Sequence, residues 1–178
     1  MKMIELFYNN PTKQWHFEQL LKETGLSRAQ TNSWIKKLQQ ENIIIRNKPT
    51  GKMPYYLANY QHPHYQNSKR LYGLEQLHQS GLLDYLVSLE KAQTVIIFGS
   101  FARSDWYDQS DIDIFVYGNV ENIYVGQFLP KLNREIQIFS AKNEKELKQM
   151  GSALMRNIIK GITIKGTLPK EVLSYAAI

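Results

Sequence analysis

The segment TVIIFGSFARSDWYDQSDIDIFVYG, residues 94–118, concentrates the side chains able to do chemistry. Thr94–Phe98 is an apolar, β-branched run suited to a buried strand, and Gly99-Ser100 turn it sharply into a helix expected to begin near Phe101. A turn of this kind offers backbone N–H groups and a hydroxyl to an anion, at the helix end whose dipole favours negative charge. Phosphate is an anion it can hold. After a further ten residues, Asp111-Ile112-Asp113-Ile114-Phe115-Val116 alternates carboxylates with apolar side chains, and the period of two puts both carboxylates on one face of a strand. Two aspartates side by side repel, a conflict that a divalent cation relieves. Oxygen-only ligation without His or Cys suits Mg²⁺ that shares its remaining positions with water and substrate phosphates. The chemistry implied is that of a nucleotide phosphate.

The combined pattern, an apolar strand, Gly99-Ser100, ten residues and Asp111-Ile112-Asp113-Ile114, resembles the signature of the DNA polymerase β-like nucleotidyltransferases, and GSFARSDWYDQSDIDIFV looks like their minimal members. The resemblance covers about residues 90–166. It implies that Gly99 and Ser100 bind a nucleoside triphosphate, ATP being the favoured one, and that Asp111 and Asp113 hold two Mg²⁺ ions. Arg103 matches an arginine frequent in that family, where it supports phosphate or the aspartate loop; a surface ion pair with Asp105 or Asp108 is its other reading. The family also uses a third carboxylate on a neighbouring strand. In Arg134-Glu135-Ile136-Gln137-Ile138-Phe139 the candidate is Glu135, as metal ligand and catalytic residue, but a register slip of two residues would give the slot to Gln137, which cannot act as a base. Lys160 and Lys165 could approach a triphosphate or lie solvated.

These groups need elements to position them, and the rest of the chain supplies the pattern. At 178 residues, with 43% hydrophobic and 12% aromatic side chains, the chain can bury a core, and 21% charged residues argue against disorder. No apolar run is long enough to span a membrane, and no leader pattern opens the sequence, so no membrane partner is expected. The absence of cysteine excludes disulfides, thiolate metal sites and a cysteine nucleophile, and fits a cytoplasmic protein. The four histidines lack metal-ligand spacing, and His62-Pro63-His64 reads as a loop.

Charge divides the chain. Residues 1–70 carry eleven Lys and Arg against four acidic residues, whereas the remainder is almost balanced, so the overall charge of +6 belongs to the N-terminal part. A polyanionic partner or a solvated basic surface would each account for that excess. Residues 2–8 and 17–24 have helical apolar spacing, broken at Asn9-Asn10-Pro11 and at Gly25. Ser27 can cap a third helix, Arg28 to about Gln40, with Thr31, Ile35 and Leu38 on one face. Ile43–Arg46 and Met53–Leu57 then form a hairpin across the basic turn NKPTGK. This order resembles the winged helix-turn-helix of bacterial and archaeal regulators. The resemblance implies that Arg28, Gln30, Asn32, Ser33 and Lys36 face bases of duplex DNA while Lys37, Arg46, Lys48 and Lys52 meet phosphates. A winged helix used only for dimerisation or protein contact is the alternative.

The expected fold class is therefore α+β: a winged helix-turn-helix at 1–60, a helical linker at 61–90 broken at Ser80-Gly81, and a small α/β nucleotidyltransferase domain with a mixed sheet at 91–178. The expected function is Mg²⁺-dependent transfer of a nucleoside monophosphate (NMP) from a nucleoside triphosphate (NTP) to a hydroxyl acceptor, coupled to DNA binding. Its partners would be NTP, duplex DNA, a protein acceptor such as a toxin modified by an antitoxin, and a second copy in a homodimer. The alternative is a DNA-binding transcriptional regulator whose nucleotidyltransferase domain senses nucleotide with little or no turnover.

Overall fold

The computed structural model describes residues 2–168, 170 and 173. It divides into two compact units, one holding the chain up to Lys69 together with Trp106–Asp108, the other holding Arg70–Asp105 and the chain from Gln109 onward. The positions 169, 171–172 and 174–178, which close the expected 91–178 domain, lie outside the described residues.

In the first unit, α1 (Lys2–Asn9), α2 (Phe17–Thr24) and α3 (Arg28–Gln40) precede an antiparallel hairpin of β1 (Ile44–Asn47) and β2 (Tyr55–Ala58). The helix ends follow local chemistry. Gly25 adopts φ +67° and donates its N–H to the Leu21 carbonyl, closing α2. Ser27 opens α3 through a reciprocal box: Gln30 N–H reaches Ser27 Oγ at 3.3 Å, and Ser27 N–H reaches Gln30 Oε1 at 3.0 Å. Thr31, Ile35 and Leu38 are buried as their spacing requires. Ile44 pairs with Ala58 and Asn47 with Tyr55, one residue further along at the start of the hairpin than the β-prone runs indicate. Trp15 extends this sheet, exchanging both backbone hydrogen bonds with Tyr56 at 2.8 and 2.9 Å.

The next helix, α4 (Pro63–Ser80), corrects the loop reading at Pro63 and His64, while His62 stays in the bend before it. Proline is acceptable in the first helical turn because the N–H it lacks would have no helical partner there. Lys69, on this helix, is 1% exposed. Its ammonium donates to the Trp106 carbonyl and lies 4.2 Å from the Trp106 ring centroid, while Asp108 N–H donates to the Asn9 carbonyl at 2.9 Å.

The second unit carries α5 (Leu82–Ser88), β3 (Ala92–Phe98), α6 (Gly99–Arg103), β4 (Ile112–Gly118), α7 (Leu129–Leu132), β5 (Ile136–Ala141), α8 (Glu144–Gln149), α9 (Ser152–Ile159) and β6 (Ile162–Lys165). The sheet order is β5-β4-β3-β6; β3 runs antiparallel to β4 and β6, and β4 runs parallel to β5, so the sheet is mixed as expected. Ile96, Phe98, Phe115, Ala141, Leu147, Met155 and Ile158 form a core cluster between strands and the last helices. Helix α6 begins at Gly99, two residues before the expected start, and α7 with the 3₁₀ turn Gly126–Phe128 ahead of it had no sequence forecast. Among the described residues no helix is long and apolar enough to cross a membrane.

Candidate active site

The apolar run of β3 delivers Gly99 to the end of the strand, where Phe98 pairs with Asp113 of β4. Gly99 has φ +71°, and a Cβ there would lie 2.1 Å from Asp113 Oδ2 and 3.1 Å from its Cγ. Glycine is thus needed twice at this position, once for the left-handed backbone and once for the approach of the carboxylate. The Gly-Ser turn and the second aspartate are packed together, which sequence spacing only suggested.

Asp113 is half-buried on β4 between fully buried Ile112 and Ile114, as period two requires. Burial pushes its carboxyl above the ordinary value, the Asp111 charge adds to that rise, and the Arg103 guanidinium opposes it. Two carboxylates therefore act on each other at one end of β4, beside a cradle that a Cβ would fill. That donor set fits a hard divalent cation such as Mg²⁺. Arg103 forms the surface ion pair, its Nε lying 2.8 Å from Asp105 Oδ2 with both side chains about half exposed, and it also bears electrostatically on Asp113.

The third carboxylate is where expectation and structure part. Ile112 pairs with Ile136 and Asp113 with Gln137 in the parallel β4–β5 ladder. Gln137 Nε2 donates to Asp111 Oδ2 at 2.5 Å. Glu135 stands one residue before β5 and is exposed; its carbonyl accepts from Ile112 N–H at 2.9 Å. No group of three or more His, Cys, Asp or Glu residues placed to hold a metal occurs among the described residues. The register sets the neutral Gln137, not the expected third ligand Glu135, opposite Asp113. Arg134, which sequence reasoning passed over, donates from Nη1 to the Ser110 carbonyl at 3.0 Å and ties the entry of β4 to β5. Lys165 is also occupied elsewhere, its ammonium donating to the Leu89 carbonyl at 2.7 Å, while Lys160 caps the end of α9 in the open.

On the basic unit, α3 exposes Asn32, Ser33, Lys36 and Lys37, and the hairpin exposes Arg46, Lys48 and Lys52. Lys37 lies 3.9 Å from Glu41 and 5.2 Å from the Trp34 ring centroid. Arg28 pairs with Glu18 at 2.5 Å. Gln30 spends its amide oxygen on the Ser27 cap, leaving its Nε2 as the group that can turn outward.

Comparison with known proteins agrees with the geometry of the second unit. Residues 81–168 match the family described as Polymerase beta, Nucleotidyltransferase. The paired aspartates and the Gly-Ser turn lie within the matched residues. A candidate protein adenylyltransferase of Methanocaldococcus jannaschii is 43% identical over 42 residues, which are 24% of this chain and 42% of that protein. The chain therefore matches less than half the length of that curated relative. Two solved structures, a toxin–antitoxin with AMP-PNP and a mutant of the toxin–antitoxin MntA-HpeT, align with 62% and 61% of this chain and with 82% and 80% of theirs. Their identities of 17% and 15% and TM-scores of 0.36 and 0.35 leave the fold description to rest on the chain's own strands.

Proposed function

We propose that the second unit binds an NTP between Gly99-Ser100 and the Asp111/Asp113 pair and transfers its NMP to a hydroxyl acceptor, pyrophosphate leaving. The observation that supports this reading is the Gly99 cradle against the Asp113 carboxylate, a Gly-Ser turn packed on an aspartate side chain. Asp111 and Asp113 would hold Mg²⁺, which when bound neutralises charge developing on the transferred and leaving phosphates. The Gly99-Ser100 turn orients the triphosphate through its N–H groups and hydroxyl, and Arg103 adds positive charge beside Asp113. The local similarity to a protein adenylyltransferase supports ATP as donor and a protein hydroxyl as acceptor, a toxin being one such protein. The first unit, three helices followed by a basic hairpin, supports a winged helix-turn-helix that binds duplex DNA, with a homodimer matching a two-fold site.

Gln137 favours a second reading. With a neutral amide in the third slot, the chain would serve as a DNA-binding regulator that senses NTP and turns it over slowly or not at all. Incubation with each of the four α-labelled NTPs, Mg²⁺ and a whole-cell extract separates the two. Label on a macromolecular acceptor, lost in Asp113→Asn, supports the transferase; retention of NTP with no labelled product supports the sensor.

A further inference from the structure

Gln137 bears on how many cations the nucleotide site can take. An ionised carboxylate only accepts hydrogen bonds, so the group of Gln137 that faces Asp111 Oδ2 must be the amide nitrogen, with its hydrogens, and not the amide oxygen. A cation bridging Asp111 and the facing side chain of β5 would have to occupy the space those hydrogens point into. The register closes off the obvious substitute, because Asp113 pairs with Gln137 and no third acidic or imidazole group joins the pair among the described residues.

We infer that Gln137 restricts this site to one divalent cation, bound with the nucleotide by Asp111 and Asp113, and that it acts as a positioning residue holding Asp111 through its Nε2. The inference rests on the NTP-binding reading above. Its consequence is a site built to hold a cation–triphosphate complex without the second cation that would ease deprotonation of an acceptor hydroxyl. Restoring a carboxylate at 137 should restore the second ion.

The test is a count. Mn²⁺ and α,β-methylene-ATP, which cannot release pyrophosphate, are equilibrated across a dialysis membrane with the full chain on one side, and bound metal and bound nucleotide are both measured. The wild type should retain one ion per bound nucleotide, and Gln137→Ala should do the same with weaker metal affinity. Gln137→Glu and Gln137→Asp should retain two, and each should gain more melting temperature from Mg²⁺ than the wild type does. A purely structural amide would not change the ion count. Two ions in the wild type, or one ion in both folded carboxylate variants, would overturn the inference while leaving nucleotide binding intact. Absence of bound nucleotide in the wild type would instead overturn the reading on which the inference rests.

Discussion

Replacing Gly99 by alanine perturbs the site at one atom whose surroundings are known. A left-handed backbone costs an L-residue ~1–2 kcal/mol, against which the stiffer unfolded chain returns ~0.4–1 kcal/mol. Gly81, in the same unit with φ +85°, provides the control, because a Cβ there meets only Phe128 Cε1 at 4.0 Å. Gly81→Ala should therefore cost about 1 kcal/mol, the backbone contribution alone. At Gly99 the new methyl would stand 2.1 Å from Asp113 Oδ2, so the carboxylate must retreat by about 1.3 Å to regain an ordinary 3.4 Å contact. Forcing that side chain from its rotamer adds ~0.5–1.5 kcal/mol, which makes the loss for Gly99→Ala about 2 kcal/mol. Urea unfolding of both variants reads the difference directly. Nucleotide affinity should separate them further, since a displaced cation ligand weakens Mg²⁺-dependent binding at least about tenfold, equivalent to ~1.4 kcal/mol, whereas Gly81 lies outside the site. Equal stability of the two variants, with unchanged nucleotide affinity in Gly99→Ala, would refute the cradle argument.

Three further outcomes are expected. The carboxyl of Asp113 is raised from its ordinary 3.8, first by burial and then by Asp111, so the folded chain binds more protons there and stability falls as pH rises from 3.8 through the raised value; in metal-free buffer Asp113→Asn should raise the melting temperature near neutrality and lose that gain well below 3.8. Lys69→Met should cost ~1–3 kcal/mol in urea unfolding, because it removes a buried charged donor from the Trp106 carbonyl. On duplex DNA followed by fluorescence anisotropy, Lys52→Ala should weaken all sequences alike and reduce the salt slope by about 1, and Arg28→Ala should relax sequence preference; no binding to any duplex at low salt would reassign the basic unit to protein contact.

What could be read from the sequence follows how local each determinant is. The Ser27 cap and the span of α3 depend on residues within a few turns, and both were legible, whereas the approach of Gly99 to Asp113 crosses a loop and was only suggested by the spacing. The burial of Lys69 was not, since a lysine in a polar stretch has no pattern that distinguishes it from its solvated neighbours. Nor was the Trp15–Tyr56 bridge, which joins positions distant in sequence. The third slot shows the limit most clearly. Glu135 and Gln137 are two apart, so a period-two strand puts them on the same face, and Ile136 and Ile138 alternate with them in either alignment. Hydrophobic patterning forbids a slip of one residue but is nearly indifferent to a slip of two. The choice falls to polar contacts at the strand entry, where Ile112 N–H meets the Glu135 carbonyl and Arg134 holds the Ser110 carbonyl. These two backbone carbonyl contacts accompany the register that stands an amide, and not a carboxylate, beside Asp113, and no apolar pattern in the sequence encodes them.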